Sequence, residues 1–170
     1  SSGGFFALFG DGGVGPGDFA TLGERYALVD PGIAFKLFPV CSAAQAAIEA
    51  TLGLLAAHGV TGGKVEHVRC EVTPFVQGCL TYARPRTVAE AQFSMPFAIG
   101  CILAHGALDL DCLTPERLID PRLEQAMAKI EMVPSTALFR AGEDDRDQLE
   151  AARVTLQLAD GRTVGKHVPV

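Results

Sequence analysis

The chain has 170 residues and a formal net charge of −6 at pH 7, with 48% hydrophobic and 20% charged residues. This length and composition are typical of one globular domain with a sizeable core. The acidic balance, without a cluster of Lys and Arg, argues against nucleic acid or an anionic membrane as the main partner. No run of about 18 uninterrupted apolar residues is present, so we predict no transmembrane helix.

The amino-terminal segment is rich in glycine, and residues 1–16 are predicted to be a flexible leader preceding a domain over residues 17–170. Its opening SSGG is typical of a cut linker or a cloning remnant, because it lacks the basic start and cleavage site of a signal peptide. It contains neither a GxxxxGK[ST] nor a helix-preceding GxGxxG, so phosphate binding has no support. A short helix is expected over residues 18–22 and a short strand or extended segment over residues 33–38.

Lys36 interrupts this extended segment, in the sequence AFKLFP. One interpretation is that packed neighbours, including Phe35, Leu37 and Phe38, hold the side chain and aim it at an anion. The other is that Lys36 points outward from a half-buried edge strand, with its stem on apolar surface and its ammonium in water.

The longest predicted helix covers residues 42–58, with Ser42 as its cap and Gly59 as a left-handed exit. One face is lined by alanines, which suits close packing against a sheet or another domain. The bulky residues of the other face recur at steps of four and three, namely Ile48, Leu52 and Leu55.

Alternating residues predict a half-buried strand over Val65–Val72. Its apolar face is expected to contain Val68, Cys70 and Val72, with Glu66 starting that face at a frayed end. A second extended run follows at residues 129–134. The chain ends in two alternating runs about Asp160-Gly161, which predict a hairpin.

A second helix is predicted over residues 94–106, with Pro96 in its first turn, where the missing amide hydrogen has no cost. It is apolar on nearly every side, which implies burial between layers or at an interface. Cap and proline pairs predict shorter helices over residues 114–119 and 120–129. Because the elements are interleaved but end in a hairpin, we predict an α+β fold with a small, mostly antiparallel sheet packed with helices.

The five cysteines are odd in number and contain no CxxC pair, which favours free thiols in a reducing, cytoplasmic setting over a disulfide framework or a zinc ribbon. Cys70 and Cys101 are expected to be small buried hydrophobic residues. No histidine spacing predicts a metal site. His58 and His105 each precede a helix-ending glycine, where the helix dipole favours an imidazolium. The carboxylate pairs in EDD and DLD are expected to be solvated.

The residues contain no complete catalytic apparatus, but they suggest a positive corner. Lys36 is close in sequence to the helix start at Ser42, and a second segment supplies Tyr82, Arg84 and Arg86. An ammonium, two guanidinium groups, a phenol and free amides suit the binding of carboxylates. The alternative is that the two arginines lie in an ordinary solvated loop.

Cys41, at the start of the long helix, adds a second possibility at the same corner. A helix amino terminus lowers the pKa of a thiol and attracts anions. The alternative is a cysteine packed beneath the turn.

Five segments in order resemble the second domain of the MmgE/PrpD family, from about Gly17 to the last residue. They are AFKLFPVCSAAQAAIEATLGLLAAHG, VEHVRCEVTP, YARPRTVAEAQFSMPFAIGCILAHGALDL, LTPERLIDPRLEQAMAKIEMVP and VTLQLADGRTV. That family includes 2-methylcitrate dehydratase, cis-aconitate decarboxylase and an iminodisuccinate epimerase. The resemblance implies a longer polypeptide, in which a large helical domain comes first and an α+β domain of this kind caps the cleft. The chain would then be the cap, truncated from a longer protein.

The resemblance also implies a chemistry: proton abstraction next to a carboxylate of a small di- or tricarboxylate, without a metal or organic cofactor. Lys36 matches an active-site lysine of the family, and Tyr82 matches an active-site tyrosine of the decarboxylase branch. Position 41 is a histidine in some relatives and a cysteine here. The expected catalytic residues are therefore Lys36 and Tyr82, and the expected substrate-binding residues are Lys36, Cys41, Ser42, Arg84 and Arg86.

The family's principal histidines and aspartate belong to the helical domain and have no counterpart in this sequence. The resemblance further implies a homodimer for the full-length protein. It also implies that the helices over residues 42–58 and 94–106 include surface that meets the helical domain.

Three hypotheses follow. The first is the cap of a cofactor-independent lyase or isomerase, similar to 2-methylcitrate dehydratase, which would be inactive alone. The second is a non-catalytic α+β binding or oligomerisation module. The third is a thiol-dependent enzyme that uses Cys41.

Overall fold

The structure is a computed structural model, and it describes residues 16–20, 22–24, 26, 28–29, 32–138 and 148–169. The leader predicted for residues 1–16 lies outside this part except for its last residue. The chain divides into two compact units, Ser1–Phe35 and Lys36–Val170. In the first unit a 3-10 helix covers Pro16–Phe19, so the helix predicted from Asp18 begins earlier and ends before Leu22.

The described part of the second unit contains six α-helices and four strands. The helices are α1 (Gln45–His58), α2 (Pro74–Cys79), α3 (Val88–Ala91), α4 (Met95–His105), α5 (Pro115–Leu118) and α6 (Pro121–Met127). The strands are β1 (Val65–Val72), β2 (Ile130–Pro134), β3 (Ala152–Leu158) and β4 (Thr163–Val168). This confirms the α+β class. None of the helices described is long and apolar enough to cross a bilayer.

The strands form one sheet in the order β2-β1-β3-β4. The pairings β1–β3 and β3–β4 are antiparallel, and the second is the predicted hairpin, with Gly161 at a φ of 86° in its turn. β2 runs parallel to β1, because the helices between them form a crossover that returns the chain in the same direction. The sheet is therefore mixed, although two of its three pairings are antiparallel.

One face of the sheet is buried beneath helices and the other is charged. The predicted residues of β1, Val68, Cys70 and Val72, are buried. On β3 they pair with buried apolar residues, namely Leu156, Val154 and Ala152. On the opposite face the ion pairs Arg69–Glu131 (2.9 Å) and Arg153–Glu71 (3.1 Å) join neighbouring strands. A sheet with one solvated face is common when antiparallel pairing dominates.

The start of β1 differs from the prediction. Glu66 is exposed, and Val65 is the buried residue. The register between β1 and β3 shifts between Val65 and His67, and such an irregularity reverses which side of the strand faces the core.

Helix α1 packs on the sheet, against β3 and β4, and its buried residues include Ala46, Ala47 and Ala50, which agrees with the first of the two alternatives given for its alanine face. A 3-10 turn, Ser42–Ala44, precedes it, and Gly59 ends it at a φ of 61°. Ser42 is not a cap. Its hydroxyl instead donates a hydrogen bond to Glu150 Oε1 at 2.8 Å.

Helix α4 is the most deeply buried element, as its composition predicts. Every residue from Met95 to Leu103 is buried, and Ser94 caps the helix by accepting from the Phe97 amide at 3.2 Å. The helix packs against α6 on one side and against α1 and β2 on others. The expectation that this helix offers surface to a further domain is therefore wrong for residues 95–103, because elements of the same unit already cover them.

The surroundings of His105, the last residue of α4, do not favour the imidazolium that the sequence predicts. Its Nε2 lies 3.7 Å from Asp120 Oδ2 and has no hydrogen-bond partner among the described residues. Burial lowers the pKa of His105, and the nearby guanidinium groups of Arg117 and Arg122 lower it further, while Asp120 and Asp109 oppose them. The helix-end imidazolium expected from the dipole is thus disfavoured, because burial outweighs the dipole.

The lowered pKa of His105 predicts a loss of stability in weak acid. Since the unfolded chain takes up a proton near pH 6.5 and the folded chain does so only at lower pH, this contribution is complete above 6.5 and falls as pH drops below it. We expect the free energy of unfolding of the His105→Gln variant to fall less between pH 7.5 and about pH 5 than that of the wild type. Urea unfolding at several pH values measures this, with the exposed His58→Gln variant as control. Parallel curves for wild type and His105→Gln would contradict it.

Candidate functional site

Lys36 lies on an irregular segment and not on a strand. Residues 32–36 have no regular structure and residues 37–40 form bends. Phe35 and Leu37 are 83% and 81% exposed, so they do not pack around the lysine. Lys36 is exposed, as the second interpretation expects, but no described strand pairs with the segment, so it is not an edge strand. The first interpretation is wrong, because Phe35 and Leu37 do not hold the ammonium in place.

The segment that carries Lys36 is nevertheless fixed at its carboxyl end. The Gln45 side chain makes two hydrogen bonds with the backbone of Phe38: Nε2 donates to the carbonyl and Oε1 accepts from the amide, each at 3.2 Å. Val40 is buried, and the Cys41 amide donates to the Gln92 carbonyl at 2.9 Å. Lys36 is thus two residues from a firmly held point at the start of α1.

A cavity of about 530 Å³ lies beside Lys36 and is formed by residues 36–39 and 108–111. Its apolar lining comes from Leu37, Phe38, Pro39, Leu108 and Leu110, and its charged lining comes from Lys36, Asp109 and Asp111. The cavity is open to solvent, because Lys36, Leu37, Asp109, Leu110 and Asp111 are all exposed.

Tyr82 does not line this cavity, but its backbone is hydrogen-bonded next to the residue that binds Cys41. Its amide donates to the Phe93 carbonyl at 3.3 Å, while Cys41 bonds to the preceding carbonyl, that of Gln92. Two of the predicted site residues, Tyr82 and Cys41, therefore flank one turn. The Tyr82 side chain is 41% exposed.

Arg84 and Arg86 lie in a different cavity, of about 510 Å³, with Ile119 and Glu124 among its other lining residues. The Arg86 amide donates to Glu90 Oε2 at 2.6 Å, in the turn that begins α3. This turn directs the arginines towards α5 and α6. The predicted positive corner is therefore divided, and neither arginine lines the Lys36 cavity.

Glu150 is a residue near the predicted site that sequence analysis missed. It accepts the hydrogen bond from Ser42. Burial raises the pKa of the Cys79 thiol, and the neighbouring Cys41 and the charge of Glu150 raise it further. No local signal could identify Glu150, because it is 108 residues from Ser42.

The remaining thiols have structural positions. Burial raises the pKa of Cys70 to about 12 and also raises that of Cys101 strongly. Within the described ranges, no group of three His, Cys, Asp or Glu side chains is arranged to hold a metal ion.

Together, the fold and the site define a two-layer α+β domain with a lysine-bearing cavity at its edge. The family model described as the MmgE/PrpD C-terminal domain matches residues 38–170. The chain therefore belongs to the MmgE/PrpD family, which confirms the resemblance found in its sequence. The matched region begins two residues after Lys36 and includes the other five predicted site residues. No curated protein sequence matches the chain.

Proposed function

We propose that this domain is the cap of a cofactor-independent lyase or isomerase that acts on small di- or tricarboxylates, in the manner of 2-methylcitrate dehydratase. The observation that carries the proposal is the family match over residues 38–170, since the family is associated with lyase or epimerase activity in the full-length protein. The position of Lys36 beside a cavity, two residues before the hydrogen-bonded backbone of Phe38, supports it.

In this proposal the chemistry is proton abstraction next to a carboxylate. The reaction places negative charge on the substrate, and a preorganised cation in a site with apolar walls stabilises that charge most effectively. Lys36 supplies the cation and Tyr82 donates a proton. Cys41, Ser42, Arg84 and Arg86 bind substrate carboxylates. Arg84 and Arg86 line a separate cavity. In this proposal they bind the substrate only if the substrate itself, or another domain that covers both cavities, connects that cavity with the Lys36 cavity.

The catalytic base belongs, in this proposal, to a larger amino-terminal domain of the kind found in the family. Leu37 and Leu110, at the Lys36 cavity, are 81% and 74% exposed. Apolar side chains exposed beside a site suit coverage by another domain. They would equally serve a non-catalytic oligomerisation module, which is the alternative. The proposal includes a homodimer and a cytoplasmic location, and the five free cysteines support the latter.

Hydrogen–deuterium exchange tests the proposal directly. The full-length protein is incubated in D₂O with citrate, 2-methylcitrate, cis-aconitate, malate and aspartate, and loss of the proton next to a carboxylate is followed by NMR. We expect exchange or product formation with at least one of them. A folded, full-length protein that exchanges none of these protons would favour the non-catalytic module.

A further inference from the structure

Two of the five free cysteines, Cys41 and Cys79, are only partly buried, whereas the other three are buried in the core. Neither sulfur of the two makes a hydrogen bond with the described residues, so each is free to change its rotamer. Oxidation of a thiol requires access for the oxidant and a sulfur that can ionise. Burial denies both to Cys70, whose pKa it raises to about 12. The accessible thiols of this chain are therefore Cys41 and Cys79.

The fold brings these two cysteines together from distant parts of the sequence. Cys41 directly precedes the 3-10 turn Ser42–Ala44, and Cys79 is the last residue of α2, which packs against that turn. The two thiols also interact electrostatically, since after burial the charge of Cys41 is the next cause that raises the pKa of Cys79. A neighbouring charge has this effect only at short range. The packing of the elements and the interaction of the thiols thus agree.

Hydrogen bonds hold the two elements that carry the cysteines against one segment of the chain. The Thr73 hydroxyl, which caps α2, donates to the Leu149 carbonyl. On the next residue, the Glu150 carboxylate accepts from the Ser42 hydroxyl at 2.8 Å. Because α2 and the turn before α1 are both tied to this segment, the two thiols are neighbours in the folded domain and not by chance movement of a surface loop.

We propose that Cys41 and Cys79 form a reversible intramolecular disulfide, and that the oxidant is hydrogen peroxide or a small disulfide such as glutathione disulfide. With peroxide, one thiolate attacks an oxygen atom, the O–O bond breaks, and a sulfenic acid and one water form. The second thiol then attacks the sulfenic sulfur, so that the S–S bond forms and a second water leaves. The two thiols lose two electrons and two protons, and peroxide is reduced to two waters. An excess of a reducing thiol reverses the bond.

The order of the two steps follows from the surroundings of the thiols. Because burial raises the pKa of Cys79, we assign the first attack to Cys41 and the second to Cys79. Disulfides in cytosolic proteins are usually transient bonds of this kind.

The bond would alter two segments that carry residues of the proposed site. Cys41 is itself one of the expected substrate-binding residues, and Tyr82 lies three residues after Cys79. A disulfide removes the Cys41 thiol and ties the start of α1 to the end of α2. We therefore expect oxidation to inactivate the full-length protein. This consequence rests on the proposed function, whereas formation of the bond does not.

Peptide mapping of the full-length protein tests the bond itself. The protein is incubated with glutathione disulfide at about pH 8, where thiolates attack readily, and its remaining thiols are then blocked with N-ethylmaleimide in denaturant. A protease that cleaves after glutamate separates Cys70 from Cys79 at Glu71. Mass spectrometry without reduction should find the Cys41 and Cys79 peptides joined and the Cys70 peptide blocked. Dithiothreitol should abolish the crosslink.

Cys79→Ser is the matched variant for the effect on activity, because it removes the partner and keeps Cys41. In a buffer with about tenfold more glutathione than glutathione disulfide, an unpaired thiol stays mostly reduced, while a paired thiol gains from the effective concentration of its partner. Relative to its own reduced form, the wild type should lose at least half of its activity there, and Cys79→Ser about a tenth or less. Dithiothreitol should restore the wild type.

The inference is wrong if Cys41 and Cys79 remain separate in glutathione disulfide, or if the crosslink joins Cys101 to Cys112 or two molecules of the protein. A Cys41–Cys79 bond that forms without loss of activity would contradict its role as a switch. If the reduced protein acts on none of the carboxylates, the proposed function fails, and the peptide map still decides whether the disulfide forms.

Discussion

Replacement of Lys36 by alanine in the full-length protein is expected to lower kcat by about 100-fold or more, the effect typical of removing one group that stabilises developing negative charge. The fold should be unaffected, because Lys36 is exposed and makes no hydrogen bond or ion pair with the described residues. Steady-state kinetics on whichever carboxylate shows exchange measures the effect. A fall in kcat with little change in KM would indicate that the ammonium acts mainly on the transition state.

Lys64→Ala is the matched control for this experiment. Lys64 is also exposed and ends a 3-10 helix, but it lies in a different cavity. Its loss should leave kcat unchanged. Lys36→Arg should recover only part of the activity, because a guanidinium keeps the charge but not the shape of an ammonium. If Lys36→Ala retains kcat within about threefold of the wild type, it contributes less than 1 kcal/mol and is not a catalytic residue.

The elements that sequence predicts well are those whose signals are local. Helix α4 has a serine cap, an early proline and a continuous apolar composition, and all three features act within its own span. The β3–β4 hairpin depends on Asp160-Gly161, since the aspartate binds the Arg162 amide and the glycine adopts a positive φ. Each of these features favours one local structure whatever the rest of the chain does.

The incorrect predictions concern partners that are distant in sequence. Serine is a common helix cap, but the Ser42 hydroxyl donates its hydrogen bond to the distant Glu150. Residues 33–38 have the composition of a strand, but none of the strands in the described part of the chain pairs with them. A strand requires a partner for its backbone, and composition alone cannot supply one. The parallel β1–β2 pairing is likewise fixed only when the intervening helices pack.

The site was predictable only in part, for the same reason. The resemblance identifies Lys36, and the structure places it at a cavity. The charge of Arg84 and Arg86 predicts that they lie beside Lys36, yet the turn before α3 places them in a different cavity. The opposite side of the Lys36 cavity comes from Asp109 and Asp111. Both are exposed, which confirms that the DLD carboxylates are solvated, but the sequence does not indicate that they line the same cavity as Lys36.

Gly62 provides the stability prediction with the largest expected effect. A Cβ added at this position would overlap the carbonyl oxygen and the Cα of Leu103 and would lie 2.6 Å from its carbonyl carbon. These atoms belong to the backbone of α4, and a buried helix cannot easily move away from the added Cβ. On another side of α4, a Cβ at Gly100 would already lie 2.9 Å from Met127 Cγ of α6, so the helix is tightly packed there as well.

The Gly62→Ala variant should therefore lose about 3 kcal/mol of stability, in the range of severe overpacking. The adjacent Gly63→Ala variant is its control: a Cβ there meets nothing within 4 Å. Because both changes restrict the unfolded chain in the same way, their difference isolates the clash. Urea unfolding of the two variants measures it, and equal midpoints would mean that the 3-10 helix Gly62–Lys64 moves away from α4 at little cost. A large difference would instead establish that the 3-10 helix and α4 approach so closely that only glycine fits between their backbones.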